Sequence, residues 1–226
     1  MSVQARKKSR KRPKWRRRPD ERPTEIADAA LEVFARGGFT AARMDDIARK
    51  AGVSKGTIYL YYPSKEDLLV ASVENRIREN QSRVFQLFDL PSLGIDGELT
   101  RSKARSIISR ALGLAIDILS APDTRVLAKV LLSERRQSRK LREKQKQLAQ
   151  RGSRVIAGFL RSAHNSGAVN CPEPELTART LMGMVVSIPI FDEILGGKGS
   201  AAQSRLCGKD RRTILNFALR GLGLDE

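Results

Sequence analysis

Histidine and cysteine are nearly absent from these 226 residues, which hold one histidine, His164, and two cysteines, Cys171 and Cys207. That scarcity excludes a disulfide framework and any Cys/His cluster with metal-ligand spacing. His164 pairs with no Ser or Cys nucleophile in a catalytic pattern, and no phosphate-cradling glycine-rich loop follows a strand. Its place after Arg161, Ser162 and Ala163 suits a helix end better than catalysis. The carboxylates Asp192 and Glu193 end an apolar stretch and read as its solvent boundary. Aromatic residues make up only 5% of the chain. No apolar run approaches the roughly 18 residues that a membrane span needs. The closest, Leu181 to Phe191, is short and contains Pro189. Strand-like alternation is missing and so are internal repeats, so the expected fold class is all-α. No enzyme activity, metal or cofactor is expected, and no membrane partner.

Positive charge is what the chain has in excess. Its 43 Lys and Arg outnumber 25 Asp and Glu, for a formal net charge of +18 at pH 7, and the sequence pI is about 10.6. An excess of that size favours nucleic acid or an anionic surface as partner. Half of it lies in residues 1–23, where eleven basic residues against Asp20 and Glu21 give +9. Apolar side chains there are almost confined to Val3, Ala5 and Trp15, and Pro13, Pro19 and Pro23 interrupt the chain. Residues 1–23 therefore read as a disordered basic arm. The arm lacks the apolar stretch of a secretory signal, so a cytoplasmic location is expected. Hydrophobic residues make up 40% of the chain, enough for a core. The length suits one small and one medium domain, placed at 24–69 and 70–226.

Helical periodicity organises the rest. Thr24 reads as the N-cap of a first helix whose Ile26, Ala29, Ala30, Val33 and Phe34 face inward, ended at Gly37-Gly38. A second helix is expected over 43–51 and a third over 54–61. Pro63-Ser64 opens the next, with Ser64 and Asp67 as an approximate capping box and Leu68, Leu69, Val73, Ile77, Val84 and Leu87 as its apolar stripe. Further stripes follow at Ile107–Leu119, Val126–Leu131, Val155–Leu160, Leu176–Leu195 and Ile214–Leu222. The charged segment 133–150 reads first as a solvated helix face and second as another basic patch near DNA. Met182 and Met184 read as interface packing before cavity lining. Residues 196–208 read as a mobile Gly/Ser-rich connection.

The segment from Met44 to Tyr62 carries the sharpest signal. Ala48 is small where two helices must cross. Gly52 falls where the chain turns and a positive φ costs least. Ser54 can cap the following helix, and Ile58 plugs the gap between the two helices. Lys55, Thr57, Tyr59 and Tyr61 can reach phosphates or base edges, and Leu60 a thymine methyl. Gly56 clears side-chain bulk from the front of that helix. Lys55 and Lys65 sit at helix N-termini, a poor place for a cation unless a phosphate shares it.

Ile47-Ala48, Ala51 to Tyr62 and Pro63 to Leu69, with Ile26 to Phe39 before them, resemble the DNA-binding domain of the tetracycline-repressor (TetR) family. The chain departs where that family commonly has Thr or Ser, offering Arg43 and Met44 instead; Arg43 can supply a charged phosphate contact. The resemblance implies DNA contact by Tyr59 and close backbone approach at Gly56. It implies a homodimer held by a four-helix bundle, for which the candidates are Leu181, Val185, Ile188, Phe217 and Leu222. It also implies an inducer pocket among the middle helices, with Leu112, Ile116, Leu131, Ile156, Leu160 and Val185 as candidates. The expected function is a dimeric operator-binding regulator, a repressor released by a small molecule. The alternatives are an architectural DNA binder without an inducer and an enzyme fused to a DNA domain; the latter needs a catalytic constellation over 100–226, and none is visible.

Overall fold

The computed structural model describes residues 21–89, 99–134, 138–195 and 208–225. Nearly all of the expected basic arm and the connection at 196–207 lie outside the described residues. Among the described residues there are nine α-helices and no strand. They are α1 (Arg22–Ala41), α2 (Met44–Ala51), α3 (Lys55–Tyr61), α4 (Lys65–Phe85), α5 (Arg101–Leu119), α6 (Pro122–Glu134), α7 (Arg139–Asn165), α8 (Pro174–Leu195) and α9 (Gly208–Gly221).

Capping chemistry places most boundaries. Ser54, Ser64, Thr100 and Ser138 each accept a backbone N–H three residues on, at the starts of α3, α4, α5 and α7. Thr24 does not act this way. Pro23 pre-sets the backbone in the first turn, so α1 starts at Arg22 and Thr24 lies inside it. Gly38 interrupts α1 with φ 75° and ψ 165°, yet a last helical turn resumes as far as Ala41.

Two apolar cores result. One gathers Ile26, Phe34, Ile47, Ile58, Leu68 and Val73 from α1–α4, and it also takes Leu127 and Val130 of α6 and Leu141 of α7. The other joins α5, α7, α8 and α9 through residues such as Ile108, Ile116, Leu160, Val185 and Leu219. Each such fully buried side chain contributes about 1.5–3 kcal/mol. Helix α7 enters both cores. At the far end, the Arg211 guanidinium bonds the Asp117 carboxylate at 3.1 and 3.2 Å, tying α9 to α5. Gly113 makes room for it, since a Cβ there would come within 2.5 Å of the guanidinium.

Candidate functional site

The turn between α2 and α3 is built by three residues. Gly52 takes φ 66° and ψ 31° at the end of α2. Val53 N–H then reaches back to Ala48 C=O at 3.0 Å, closing the helix end. Ser54 Oγ accepts Thr57 N–H at 3.0 Å and starts α3. Ile58 and Tyr62 pin the inner side of α3: Ile58 is fully buried, and the Tyr62 hydroxyl donates to Pro23 C=O at 2.8 Å. Burial, and then Asp28, push the Tyr62 phenol above its ordinary range. Tyr59, Leu60 and Tyr61 are left facing solvent, with Leu60 84% exposed. An apolar side chain that open on a seven-residue helix does nothing for the protomer's own core.

The sequence-predicted contact residues divide into two sets. Arg43, Lys55, Gly56, Tyr59, Leu60 and Tyr61 are all exposed. Arg43 is the N-cap residue of α2 and makes no side-chain cap bond. Lys55 Nζ lies 3.1 Å from Asp45 of α2, a solvated pair worth little by itself. Thr57 is half-buried, and its hydroxyl sits 2.8 Å from that of Ser54. Lys65 departs from expectation. Its ammonium donates to the carbonyls of Phe39, Thr40 and Ala42 at 2.8, 3.3 and 3.0 Å and lies 4.5 Å from the centre of the Phe39 ring. These carbonyls are the orphans left where α1 ends, so Lys65 fastens the α1–α2 corner instead of offering a free cation to phosphate.

Polar clamps fasten this unit to α6 and α7. Glu134, at the end of α6, is 5% exposed, and its Oε1 accepts Phe39 N–H at 3.2 Å. That N–H needs an outside acceptor because Gly38 has broken the helix beneath it. Ser138 donates to Glu66 at 2.7 Å, and Lys144 pairs with Glu74 at 3.1 Å. Asp67 accepts from Lys140 at 2.9 Å and from the Ser64 hydroxyl at 2.6 Å. The Ser64 hydroxyl first, and Lys140 second, hold the Asp67 carboxyl below the ordinary carboxylate range. A depressed folded pKa contributes stability that is present above the unfolded value, near 4, and is lost as pH falls through the folded value. Asp67→Asn should therefore lower the Tm near neutral pH, and the two chains should converge in acid as pH falls through the depressed folded value. Thermal melts across that range check this; a gap between the two chains that persists into acid would contradict it.

A cavity of about 720 Å³ lies between α4, α5, α6, α7 and α8. Five of the six candidate lining residues do line it: Leu112, Leu131, Ile156, Leu160 and Val185. Ile116 does not. It lies one turn beyond Leu112 and is packed in the α5 core, 1% exposed. Met182 lines the cavity, while Met184 packs on the core. Gln81, Phe85, Phe88 and Gln145 also line it and were not among the candidates. The stripe on α4 signalled its apolar wall, but nothing in the periodicity marked the glutamines.

The candidate dimer residues separate in the same way. Leu181, Val185 and Leu222 are buried inside the protomer, and Ile188 is half-buried against its core. Phe217 is 69% exposed. The outward stripe of α8 runs instead through Leu176, Thr180, Gly183 and Phe191, with Phe191 57% exposed. Among the described residues no helix is long and apolar enough to cross a membrane, and no group of three metal-ligating side chains occurs.

Comparison with known proteins agrees with this geometry. Residues 26–72 match the family described as Bacterial regulatory proteins, tetR family. Residues 108–208 match the AefR-like transcriptional repressor, C-terminal domain. The Fatty acid metabolism regulator protein of Bacillus subtilis is 28% identical over 159 residues, covering 70% of this chain and 72% of that one. The HTH-type transcriptional regulator TtgW of Pseudomonas putida is 32% identical over 107 residues, 47% of this chain and 69% of that one. Several further curated regulators match over less than half of their own length. The structure of FadR from Bacillus subtilis in complex with stearoyl-CoA superposes with a TM-score of 0.66 at 22% identity, covering 87% of this chain and 97% of that chain. The chain thus belongs to the TetR family and is a helix-turn-helix transcriptional regulator, not an enzyme.

Proposed function

We propose that the chain is a homodimeric repressor that leaves its operator when a mostly apolar small molecule fills the cavity. The carrying observation is that the same helices serve both ends. Helix α4 starts beside α3 at Lys65 and lines the cavity at Ile77, Val84 and Phe85. Helix α6 lines it at Leu127 and Leu131 and ends at the Glu134–Phe39 bond. A ligand that favours one packing of α4 and α6 thereby favours one placement of α3. Operator affinity falls to the extent that the two states differ in fit to DNA.

In this reading residues 24–69 read DNA and 70–226 bind ligand and partner. Two copies pair through the outward faces of α8 and α9, which brings two recognition helices to two half-sites. The Bacillus relative is named for fatty acid metabolism, and the similar FadR structure holds stearoyl-CoA. Both support a long-chain acyl compound as the inducer class. Selection of bound sequences from random DNA tests the central claim, followed by anisotropy titrations of the recovered site with and without stearoyl-CoA. Recovery of no preferred sequence would sink it.

The contact residues should act differently. Tyr59→Phe removes a group able to read a base edge and should cost about 1–3 kcal/mol at particular base positions. Lys55→Ala removes a phosphate contact. It should weaken all sequences alike and flatten the dependence of log K on log salt by about 0.9 per phosphate. Titrations over operator variants and salt separate the two, and a uniform loss for Tyr59→Phe would refute its role.

A further inference from the structure

The polar residues of α7 that line the cavity lie toward one end of it, and among the described residues one lining polar atom is both covered from solvent and without a partner. Thr124 Oγ1 is committed to Ile118 C=O at 2.7 Å and Gln81 Nε2 to Leu148 C=O at 3.1 Å. Glu143 is held by Arg139 at 2.7 Å. The side-chain amide nitrogen of Gln145 differs. It is covered from solvent and has no hydrogen-bond partner among the described residues. A buried donor without an acceptor is costly, and here it lies in the wall of a space large enough for a ligand.

Around Gln145 the wall carries charged side chains, two cations and Glu143, whose charge Arg139 offsets, and further along α7 it is hydrocarbon. Arg142 and Lys146 line the cavity within one turn of Gln145. From there the wall runs along α7 to Leu160, fifteen residues on, or about 22 Å at 1.5 Å per residue. At that far end the lining is Ile108, Leu112, Phe88, Ile156 and Leu160. Helix α7 starts beside α4 at the Ser138–Glu66 bond, so the polar end lies toward the DNA-binding helices and the apolar end away from them.

We infer that Gln145 reads the acyl carbonyl of the inducer. The ligand lies with its tail toward Leu160 and its carbonyl oxygen accepting from Gln145 Nε2, with negative charge beyond it facing Arg142 and Lys146. This rests on the cavity being the inducer site. The shared chemistry is a long acyl chain ending in a carbonyl with an anionic group at or beyond it, which a free fatty acid and an acyl-CoA both offer. The position is regulatory as well. Lys144, the neighbour of Gln145, holds Glu74 of α4 at 3.1 Å, so a head group there bears on the helix that leads to α3.

The test uses the full chain and three fluorescent probes with one tail: cis-parinaric acid, its CoA thioester and the corresponding alcohol. The acid, the thioester or both should bind at least about tenfold more tightly than the alcohol, the scale of one good hydrogen bond to a charged or polar acceptor. Which of the two binds identifies the source of the acyl group. Gln145→Leu, close in volume and without a donor, should erase most of that preference and weaken the alcohol less than the acid, because a hydroxyl oxygen is a weaker acceptor than a carboxylate. Gln145→Glu, which brings an acceptor and a negative charge, should bind the acid still more weakly, so the inference stays testable if the Leu variant folds poorly. Equal binding of all three probes, binding of none, or an equal loss for all three in both variants would overturn it. Operator release is recorded in the same samples. Release without a carbonyl preference removes Gln145 from the mechanism and leaves the regulator standing. A carbonyl preference without release keeps Gln145 and removes the inducer reading.

Discussion

A chain carrying Phe191→Glu and Phe217→Glu should sediment as a monomer at micromolar concentration and bind its operator on the order of a hundredfold more weakly than wild type. The first half follows from exposure. Both rings stand in solvent on the isolated protomer, Phe191 at 57% and Phe217 at 69%, on the two helices proposed to meet the partner. Four carboxylates at such an interface would be desolvated without counter-charges, which association does not survive. The second half follows from geometry. The recognition helix α3 has seven residues and reads only a few base pairs. A dimer turns the second half-site contact into an intramolecular event, and a monomer forfeits that gain. The choice of residues decides whether the experiment means anything. Val185 and Leu222 are 6% and 2% exposed, so a charge at either would unfold the protomer, and loss of dimer would merely follow. At Phe191 and Phe217 the protomer has little to lose, and helical content and Tm should stay near wild type. A double variant that remains a dimer would remove α8 and α9 from the interface. A stable monomer with full operator affinity would remove the need for two half-sites.

The sequence and the structure agree most closely where geometry is local. Gly52, Ser54 and Ile58 are fixed by rules acting over a few residues: a left-handed turn, a hydroxyl cap, a buried plug. All three stand in the structure as read. Agreement weakens where the same helical period serves several surfaces. Leu112 and Ile116 share one face of α5, but only Leu112 borders the cavity, because the void depends on how α4, α6 and α8 close over it. On α8 the apolar residues cover nearly the whole circumference. Periodicity could not tell the inward Leu181 and Val185 from the outward Leu176 and Phe191. Lys65 shows a further gap. Its position at a helix start suggested phosphate, yet the three carbonyls that hold it belong to a helix more than twenty residues earlier. Glu134 was legible only as part of a charged stretch. Its value comes from Gly38, which strands Phe39 N–H at the point where α6 arrives. Such pairs are set by the packing of distant segments and leave no periodic trace.

Gly52 gives the cleanest test of the DNA-reading unit, because its cost can be isolated. A Cβ added there would meet nothing within 4 Å, so any penalty comes from the backbone alone. At φ 66° and ψ 31° an ordinary L-residue pays about 1–2 kcal/mol, and a β-branched one pays more. Asn tolerates this conformation best after glycine. Operator affinity and thermal stability should therefore fall in the order Gly52, Asn, Ala, Val, with Gly52→Asn close to wild type. Gly52→Val has a second way to relieve the strain, which is to open the turn. Val53 N–H would then leave Ala48 C=O, now at 3.0 Å, and α3 would swing away from the position set by Ile58. Operator binding should accordingly fall further in Gly52→Val than its Tm does, while Gly52→Asn should lose neither. The comparison needs thermal melts and operator titrations on the three variants under the same salt. If Val and Asn prove equal in both measurements, the left-handed turn does not position the recognition helix, and the placement of Tyr59 and Leu60 must come from the α1–α4 core instead.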